Sequence, residues 1–541
     1  GRIAGDGEVV LNSGGTQLIE GKNYVNNLEV SNGTLAEINT ADSLYIINSL
    51  NITSGQLTTN DGLILLSSAA GTASLKGPAG GSYVSGNATV ERYIPGGRRA
   101  YRFLGHPFNT AIPLTQLIDD IDITGSGGSL NGFVGTATNN ASSYYYDPTV
   151  GTTGNNDPGW QAFTSANTAS WDRYKGARIL IRGVKDQGIW SGGTYTPLPV
   201  TLDMTGTINQ GDQVIPLIKG TNSGFNIIGN PYAAAVVAGP ALAAASDMDG
   251  AAYWIWDPMQ QGANGKGAYV PYVIDATATD AIPSGSAISV KVLATTSVTL
   301  TEADKADNST VEGFRMTGVS NMAQLQITDT LGAYYDRIYI RNVAVANDSF
   351  EQKDGVKLDN PNVNFYTWSA DSNRLSVDSR AFLNNHIIPL GFTSNEKRSY
   401  EIKMVDNSYA AGTQLTLVDK YLNINIPMSH GTSYRFDVTA DTLSQGDKRF
   451  ELGITATVTP PATHVNSITN TLKITCAPNP ASSYMDIHIY SNEVAATLVS
   501  IYDMAGILIS KQQLGELKDR THRVDISELP AGMYIISVQH G

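Results

Sequence analysis

"LEVSNGTLAEINTADSLYIINSLNITSGQL", residues 28–57, contains one eight-residue pattern twice. LEVSNGTL (28–35) returns as LNITSGQL (50–57), so Leu50, Ile52, Gly55 and Leu57 each follow their counterparts Leu28, Val30, Gly33 and Leu35 by 22 residues. Apolar and polar residues alternate, as in a strand with one buried face, and a glycine stands where the chain must turn a corner. A period of this length suits one coil of a β-solenoid, whose stacked strands bury a narrow apolar column. Residues 1–90 are therefore expected to be solenoid coils; two similar hairpins of a sandwich are the competing reading. A few coils cannot cap themselves, so more coils before Gly1, or a cap from the next segment, are expected. The chain opens without Met, directly into patterned sequence, and reads as a piece of something longer.

A second repeat begins after residue 90. FLGHPF (103–108) resembles IIGNPY (227–232), YYYDP (144–148) resembles WIWDP (254–258), and KGARILI (175–181) resembles SGSAISV (284–290). The blocks keep their order, which points to two related β units at 91–204 and 205–300. The Gly/Ser/Asn-rich stretch 125–143 accounts for the greater length of the first copy. Pro113 and Pro240 each open an apolar stretch suited to a brief helix.

Residues 301–455 carry seven runs of period-two alternation, from QLQITD (324–329) to RFELGI (449–454), at spacings typical of a β-sandwich. Residues 456–473, rich in Thr with Pro460-Pro461, read as a semi-extended linker. Residues 474–541 form a self-contained set of short strands, with turns at Met504–Gly506 and Leu529–Gly532. The fold class expected is all-β: an N-terminal β-solenoid fragment, tandem β-sandwich domains of jelly-roll or Ig-like kind, and a C-terminal Ig-like sandwich.

The chain has 541 residues and a formal net charge of −14. That balance argues against nucleic acid as a partner, because neutralising phosphates takes clustered Lys and Arg. No window approaches the ~18 apolar residues of a transmembrane helix. One cysteine, Cys476, allows no internal disulfide, and it reads as filler at a strand edge.

Catalytic patterns are missing: there is no G-x-S-x-G and no H-E-x-x-H. GANGKG (262–267) has the wrong spacing for a phosphate loop. The seven histidines are scattered. His106 lies in the repeated Gly-x-Pro turn where the second copy has Asn230, which marks a hydrogen-bonding turn side chain rather than a base. The expectation is a non-enzyme with no catalytic residues and no metal ligands. The incomplete acidic turns Asp119–Asp122, Asp247–Gly250 and Asp304/Asp307 leave room only for a structural calcium ion. The aromatics Tyr144, Tyr146, Trp254 and Trp256 lie on strands; they either pack in the core or offer rings to a glycan.

The end of the chain carries three ordered motifs: APNPASSYMDIHI from Ala477, VSIYDMAGILI from Val499, and VDISELPAGMYIISV from Val524. Together they resemble the type A C-terminal sorting domain of proteins exported by the type IX secretion system of Bacteroidetes. The matching positions are Pro478, Asn479 and Pro480; Ile501, Tyr502, Asp503 and Gly506; and Asp525, Leu529, Gly532 and Tyr534. The prolines are expected to fix the backbone where the linker enters the sheet, and Gly506 and Gly532 to permit turns that other residues resist. The family continues into a last strand with basic residues, whereas this sequence stops at His540-Gly541. Residues 91–455 resemble, more weakly, a region of large surface proteins of the same bacteria. The triplets at Ser43, Thr330 and Thr442 resemble the Asp-Ser/Thr-apolar sites O-glycosylated there.

The resemblance implies a cargo protein of the cell surface, secreted or held at the outer membrane, with residues 474–541 as its export and anchoring signal. It implies as partners the type IX translocon, a PorV-like outer-membrane β-barrel shuttle, a sortase and surface lipopolysaccharide. An adhesin-like or structural role is the first expectation. The alternative is a glycan-binding accessory region of an enzyme whose catalytic domain lies before Gly1.

Overall fold

The repeat shows directly in the strand pairing. In the computed structural model, Lys22–Ile38 runs parallel to Ser43–Thr58, with Leu28 opposite Leu50 and Val30 opposite Ile52. Arg2–Leu11 and Gln17–Ile19 extend the stack on one side. Leu63–Leu65, Ser74–Lys76 and Val84–Ser85 pair successive parts of Ser43–Thr58 on the other. Parallel pairing excludes the two-hairpin reading, because hairpin strands are antiparallel. Val30, Ile46, Leu50, Ile52 and Leu75 form the sealed column. Each such side chain contributes about 1.5–3 kcal/mol through burial. Gly33 and Gly55 turn the corners at φ +72° and +80°, where a side chain is strained. Outside, Tyr24 stacks on Tyr45 at 4.4 Å.

The structure describes residues 2–78, 81, 83–151, 159–187, 195–221, 224–260, 267–306, 319–332, 334–382, 385–455, 472–503 and 507–540. It divides into two units, Gly1–Thr457 and Val458–Gly541. Most of the sequence expected as a linker, 456–471, lies outside the described residues.

The solenoid is capped by the next segment. Leu63–Leu65 pairs in parallel with Ala88–Ile94, which pairs antiparallel with Val200–Gly206. Both strands run across expected boundaries, at 90/91 and 204/205, so the coil and the first β unit share a sheet.

The two β units have the same topology. Ala100–Leu104, Ala177–Ile181, Ser143–Tyr146 and Trp160–Ala162 form one sheet, in that order. Phe225–Gly229, Ala287–Lys291, Ala252–Asp257 and Ala268–Val273 form its counterpart in the corresponding order. The antiparallel pair of Ala88–Ile94 with Val200–Gly206 matches that of Gln213–Leu217 with Thr296–Leu300. The brief helices are Thr115–Ile118 and Gly239–Ala244, the latter with Pro240 in its first turn. The second unit runs past residue 300, since Lys305–Ala306 pairs with Ala235–Val237.

All seven runs expected within 301–455 are strands, joined by Val363–Trp368, Asn385–Ser394 and Ile424–Met428, which the alternation did not single out. They lie in one 11-stranded sheet. The sheet curls on itself: Phe436, on a strand at one end, packs at 4.8 Å against Phe450 near the other. The chain is all-β but for a few short helical turns.

In the C-terminal unit, Tyr484–Asp503 and Leu508–Asp525 are long partners that act in two halves. The first half of Tyr484–Asp503 also pairs with Lys473–Ala477, and its second half with Tyr534–His540. Ile487, Ile489, Val499, Ile501, Leu517 and Val524 share one core, giving a small Ig-like sandwich.

Candidate functional site

The facing sheets of the two repeated units enclose an aromatic contact. Alternation along Ser143–Tyr146 sends Tyr145 toward Phe163 in the first unit's core, at 5.2 Å. Tyr144 and Tyr146 point the other way, toward the second unit. A cleft of about 570 Å³ opens there, lined by Tyr144, Trp160, Arg178, Tyr269 and Asp359 among others. The Arg178 guanidinium stands 4.2 Å from the Trp160 ring, 4.8 Å from Tyr144 and 5.1 Å from Tyr101. Phe103 stacks on Trp256 at 5.6 Å, and the Trp256 indole N–H donates to the Tyr101 carbonyl at 3.0 Å.

The four aromatics singled out as glycan-facing therefore separate. Tyr144 and Trp256 are half-buried at the cleft and its neighbouring pocket. Trp254 is not surface at all, being 1% exposed. Its strand is covered on both faces, because Val319, Met322, Tyr339 and Val377 of the third region pack over it. Tyr146 is 5% exposed and packs edge-on against Trp160. Sequence reasoning did not single out Trp160, nor Arg178 within the repeated block KGARILI; the Trp160 ring and the Arg178 cation meet in the lining of the cleft.

The His106 turn is structural, and its twin shows why. Phe108 N–H donates to His106 Nδ1 at 3.3 Å, and Nε2–H reaches the Trp171 carbonyl at 3.0 Å. In the second copy, Tyr232 N–H donates to Asn230 Oδ1, and Asn230 Nδ2 donates to the Ile282 carbonyl, both at 2.9 Å. Burial holds the His106 imidazole down at about 4, so it is neutral.

The acidic turns are also engaged internally. Asp304 accepts from Thr301 N–H and Oγ1 in a capping box, Asp122 from Tyr195, and Asp249 pairs with Lys291 at 2.6 Å. Asp307 lies outside the described residues. Among the described residues, no group of three or more His, Cys, Asp or Glu is placed to hold a metal ion. Of the triplets, Thr330 and Thr442 are exposed, beside exposed Leu331 and Leu443, whereas Ser43 is half-buried beside buried Leu44.

In the C-terminal unit the motif residues close turns. Asp503 Oδ1 accepts from Ile507 N–H at 2.9 Å, while the expected turn residue Gly506 lies outside the described residues. Asp525 Oδ1 accepts from Ser527 N–H at 2.9 Å and Oγ–H at 2.6 Å, which pulls its carboxyl below the usual range. Tyr534 O–H donates to the Pro530 carbonyl at 2.7 Å and fastens the Leu529–Gly532 turn. Tyr502 is half-buried on the strand behind Asp503. Two expectations need correction. Pro478, Asn479 and Pro480 do not precede the sheet; they are exposed and connect its strand Lys473–Ala477 to Tyr484–Asp503. Gly532 is not in the left-handed region, and a Cβ there would meet only atoms 3.9 Å away. Cys476 is half-buried at the edge of this core, and burial raises its thiol.

Comparison with curated proteins finds no match. Among solved structures, dimeric latent PorU from Porphyromonas gingivalis aligns with 64% of this chain and 34% of its own, at 9% identity and a TM-score of 0.12, which says nothing of the fold. Residues 476–541 match the model of the secretion system C-terminal sorting domain. Sequence motifs, Ig-like sandwich and family model agree: residues 476–541 are a C-terminal sorting domain, and the chain that carries it is a type IX secretion cargo protein.

Proposed function

We propose that the chain is a non-enzymatic, adhesin-like or structural protein displayed on the outer-membrane surface. The sorting domain carries this reading, since it addresses the chain to the type IX machinery. Its partners in transit are the translocon, the PorV-like β-barrel shuttle and a sortase that joins the cargo to surface lipopolysaccharide. The stacked coils supply a stiff arm, and the repeated units and curled sheet a stem. The most enclosed histidine among the described residues, His106, is spent on a turn, which supports a structural rather than catalytic use of this region. Deleting residues 474–541 leaves the protein in the periplasm; normal surface delivery of the truncated chain would refute the export role.

The cleft between the repeated sheets favours a second reading, a glycan-binding region. Its volume and its aromatic and guanidinium lining suit a sugar ring stacked against Trp160 or Tyr144. A glycan array with the full chain tests it. Signals that vanish in Tyr144→Ala and Trp160→Ala support binding there, and an array at background removes the idea.

A further inference from the structure

Lys357 and Asp336 form an enclosed ion pair within the third β region. Asp336 lies on the strand Tyr335–Asn342, and Lys357 follows the short strand Gly355–Val356. Lys357 Nζ stands 3.1 Å from Asp336 Oδ2, with the two side chains 2% and 1% exposed. Two charges held so far from water are costly. The hydrogen bonds fit the charged pair poorly. An ammonium carries three N–H groups, whereas Lys357 Nζ finds two acceptors among the described residues, Asp336 and the Leu358 carbonyl. Lys305 differs: its nitrogen meets Glu302, the Tyr83 hydroxyl and the Leu75 carbonyl, and is saturated as an ammonium. Two backbone donors hold the Asp336 carboxyl, Arg337 N–H on Oδ1 at 2.9 Å and Phe365 N–H on Oδ2 at 2.8 Å. Burial raises this carboxyl, and Lys357 opposes the rise.

We propose that Lys357 and Asp336 condense into an amide, a self-made modification that staples the loop carrying Lys357 to the strand carrying Asp336. One proton passes from the ammonium to the carboxylate. The Nζ lone pair then attacks Cγ, one bond beyond the oxygen it already faces. The Cγ–O bond breaks, and the hydroxyl leaves with one amine proton as water; no oxidant or second reactant is consumed. The two N–H donors are placed to meet the negative charge that develops on oxygen as the carbon turns tetrahedral. The enclosed pairing replaces a chance encounter of amine and acid. The product suits the partners present: its N–H faces the Leu358 carbonyl, its C=O keeps a backbone donor, and neither charge stays buried. The stapled segment is the one that grips the second repeated unit. Tyr269 N–H donates to Asn360 Oδ1, Ala251 N–H to the Asp354 carbonyl and Gln352 Nε2 to the Met248 carbonyl, each at 2.8 Å. A covalent tie at this joint resists a pull along the stem. The inference is independent of the export reading and of the aromatic cleft.

The test is mass spectrometry of the full chain, purified folded and kept at neutral pH. The intact chain should be lighter than its sequence by one water. A tryptic digest of the denatured protein should contain a branched peptide that joins residues 316–337 to residues 354–374 and is uncut after Lys357. Lys357→Arg keeps the cation but forms no amide. It should show the full mass of its sequence and melt at a lower temperature than the parent. Should that variant fail to fold, the parent's mass and the branched peptide still decide. A parent of full sequence mass that trypsin cuts after Lys357, a branch from Lys357 to any other carboxyl, or a water loss that persists in Lys357→Arg would each overturn the proposal.

Discussion

Gly105 and Gly229, equivalent residues of the two repeated units, lie back to back. A Cβ on Gly105 would sit 2.6 Å from the Gly229 Cα, and a Cβ on Gly229 would sit 2.9 Å from the Gly105 Cα. The backbone around them is shared between the units as well. Gly105 N–H donates to the Gly285 carbonyl at 3.1 Å, and Gly229 N–H to the Tyr174 carbonyl at 2.8 Å. The repeated F/I-L/I-G turn is therefore the seam at which one copy fits the other.

Alanine at either glycine forces backbone apart, since neither obstacle is a flexible side chain. Gly105→Ala and Gly229→Ala should each cost about 1–3 kcal/mol in urea unfolding. The double variant should cost less than the sum, because the first shift already opens the space the second needs.

The His106 and Asn230 pair makes a prediction about pH. His106→Asn should fold, since asparagine does the same work in the other copy, whereas His106→Ala should lose about 1–3 kcal/mol by stranding buried backbone groups. Burial lowers the folded imidazole from 6.5 to about 4. Between those values the unfolded chain binds more protons, so His106 contributes stability that is full above pH ~6.5 and lost as pH falls toward 4, on the order of 3 kcal/mol. Asp280 and Asp354, raised to about 7, act in the opposite sense, losing stability as pH rises through the same range. The measurement is the difference between His106→Asn and the parent from pH 4 to 7. A flat difference would show that the imidazole is not buried neutral.

What could be read from the sequence follows from range. The 22-residue register, the duplicated blocks and the Asp-turn motifs of the tail are local patterns, and all are present as strands and turns. Trp254 was ambiguous because alternation reports only one covered face, and a second layer over it comes from residues 319–377. Arg178 and Trp160 meet across a sheet: the repeated block places Arg178 on a strand, but nothing near either residue tells which partner its side chain meets. The boundaries at 90 and 204 fall within strands because those two strands pair with each other across about 110 residues, and the first also pairs with the coil strand Leu63–Leu65.

The sorting domain's motif residues hold turns, so their loss should act through folding of that small unit. Tyr534→Phe removes only the hydroxyl that reaches Pro530, and Asp525→Ala removes two hydrogen bonds to Ser527. Each should lower stability by about 1 kcal/mol, read by thermal melting. A small sandwich has little margin, so surface delivery should fall in the order of lost stability. If delivery collapses while melting is unchanged, these side chains are contacted directly by the export machinery.

The solenoid is tied to the second repeated unit by a buried polar cluster. Lys305 Nζ lies 2.7 Å from Glu302 Oε2, and donates to the Tyr83 hydroxyl at 2.8 Å and the Leu75 carbonyl at 3.2 Å. Tyr83 O–H and Gly211 N–H both donate to Glu302 Oε1 at 2.8 Å. The Lys305 and Glu302 side chains are 1% and 2% exposed. Burial lowers the Lys305 amine, and Glu302 opposes that fall. Lys305→Met leaves Glu302 charged and enclosed, and should cost about 3–5 kcal/mol. Lys305→Met with Glu302→Gln removes both charges and should recover much of that loss, since a buried pair is worth little more than well-packed neutral groups. Tyr83→Phe loses the hydroxyl that bridges the two and should cost about 1–3 kcal/mol. Chemical denaturation of the parent, Lys305→Met, Glu302→Gln and the double variant gives the coupling energy. A double variant as unstable as Lys305→Met would mean that the cluster acts through packing, not charge.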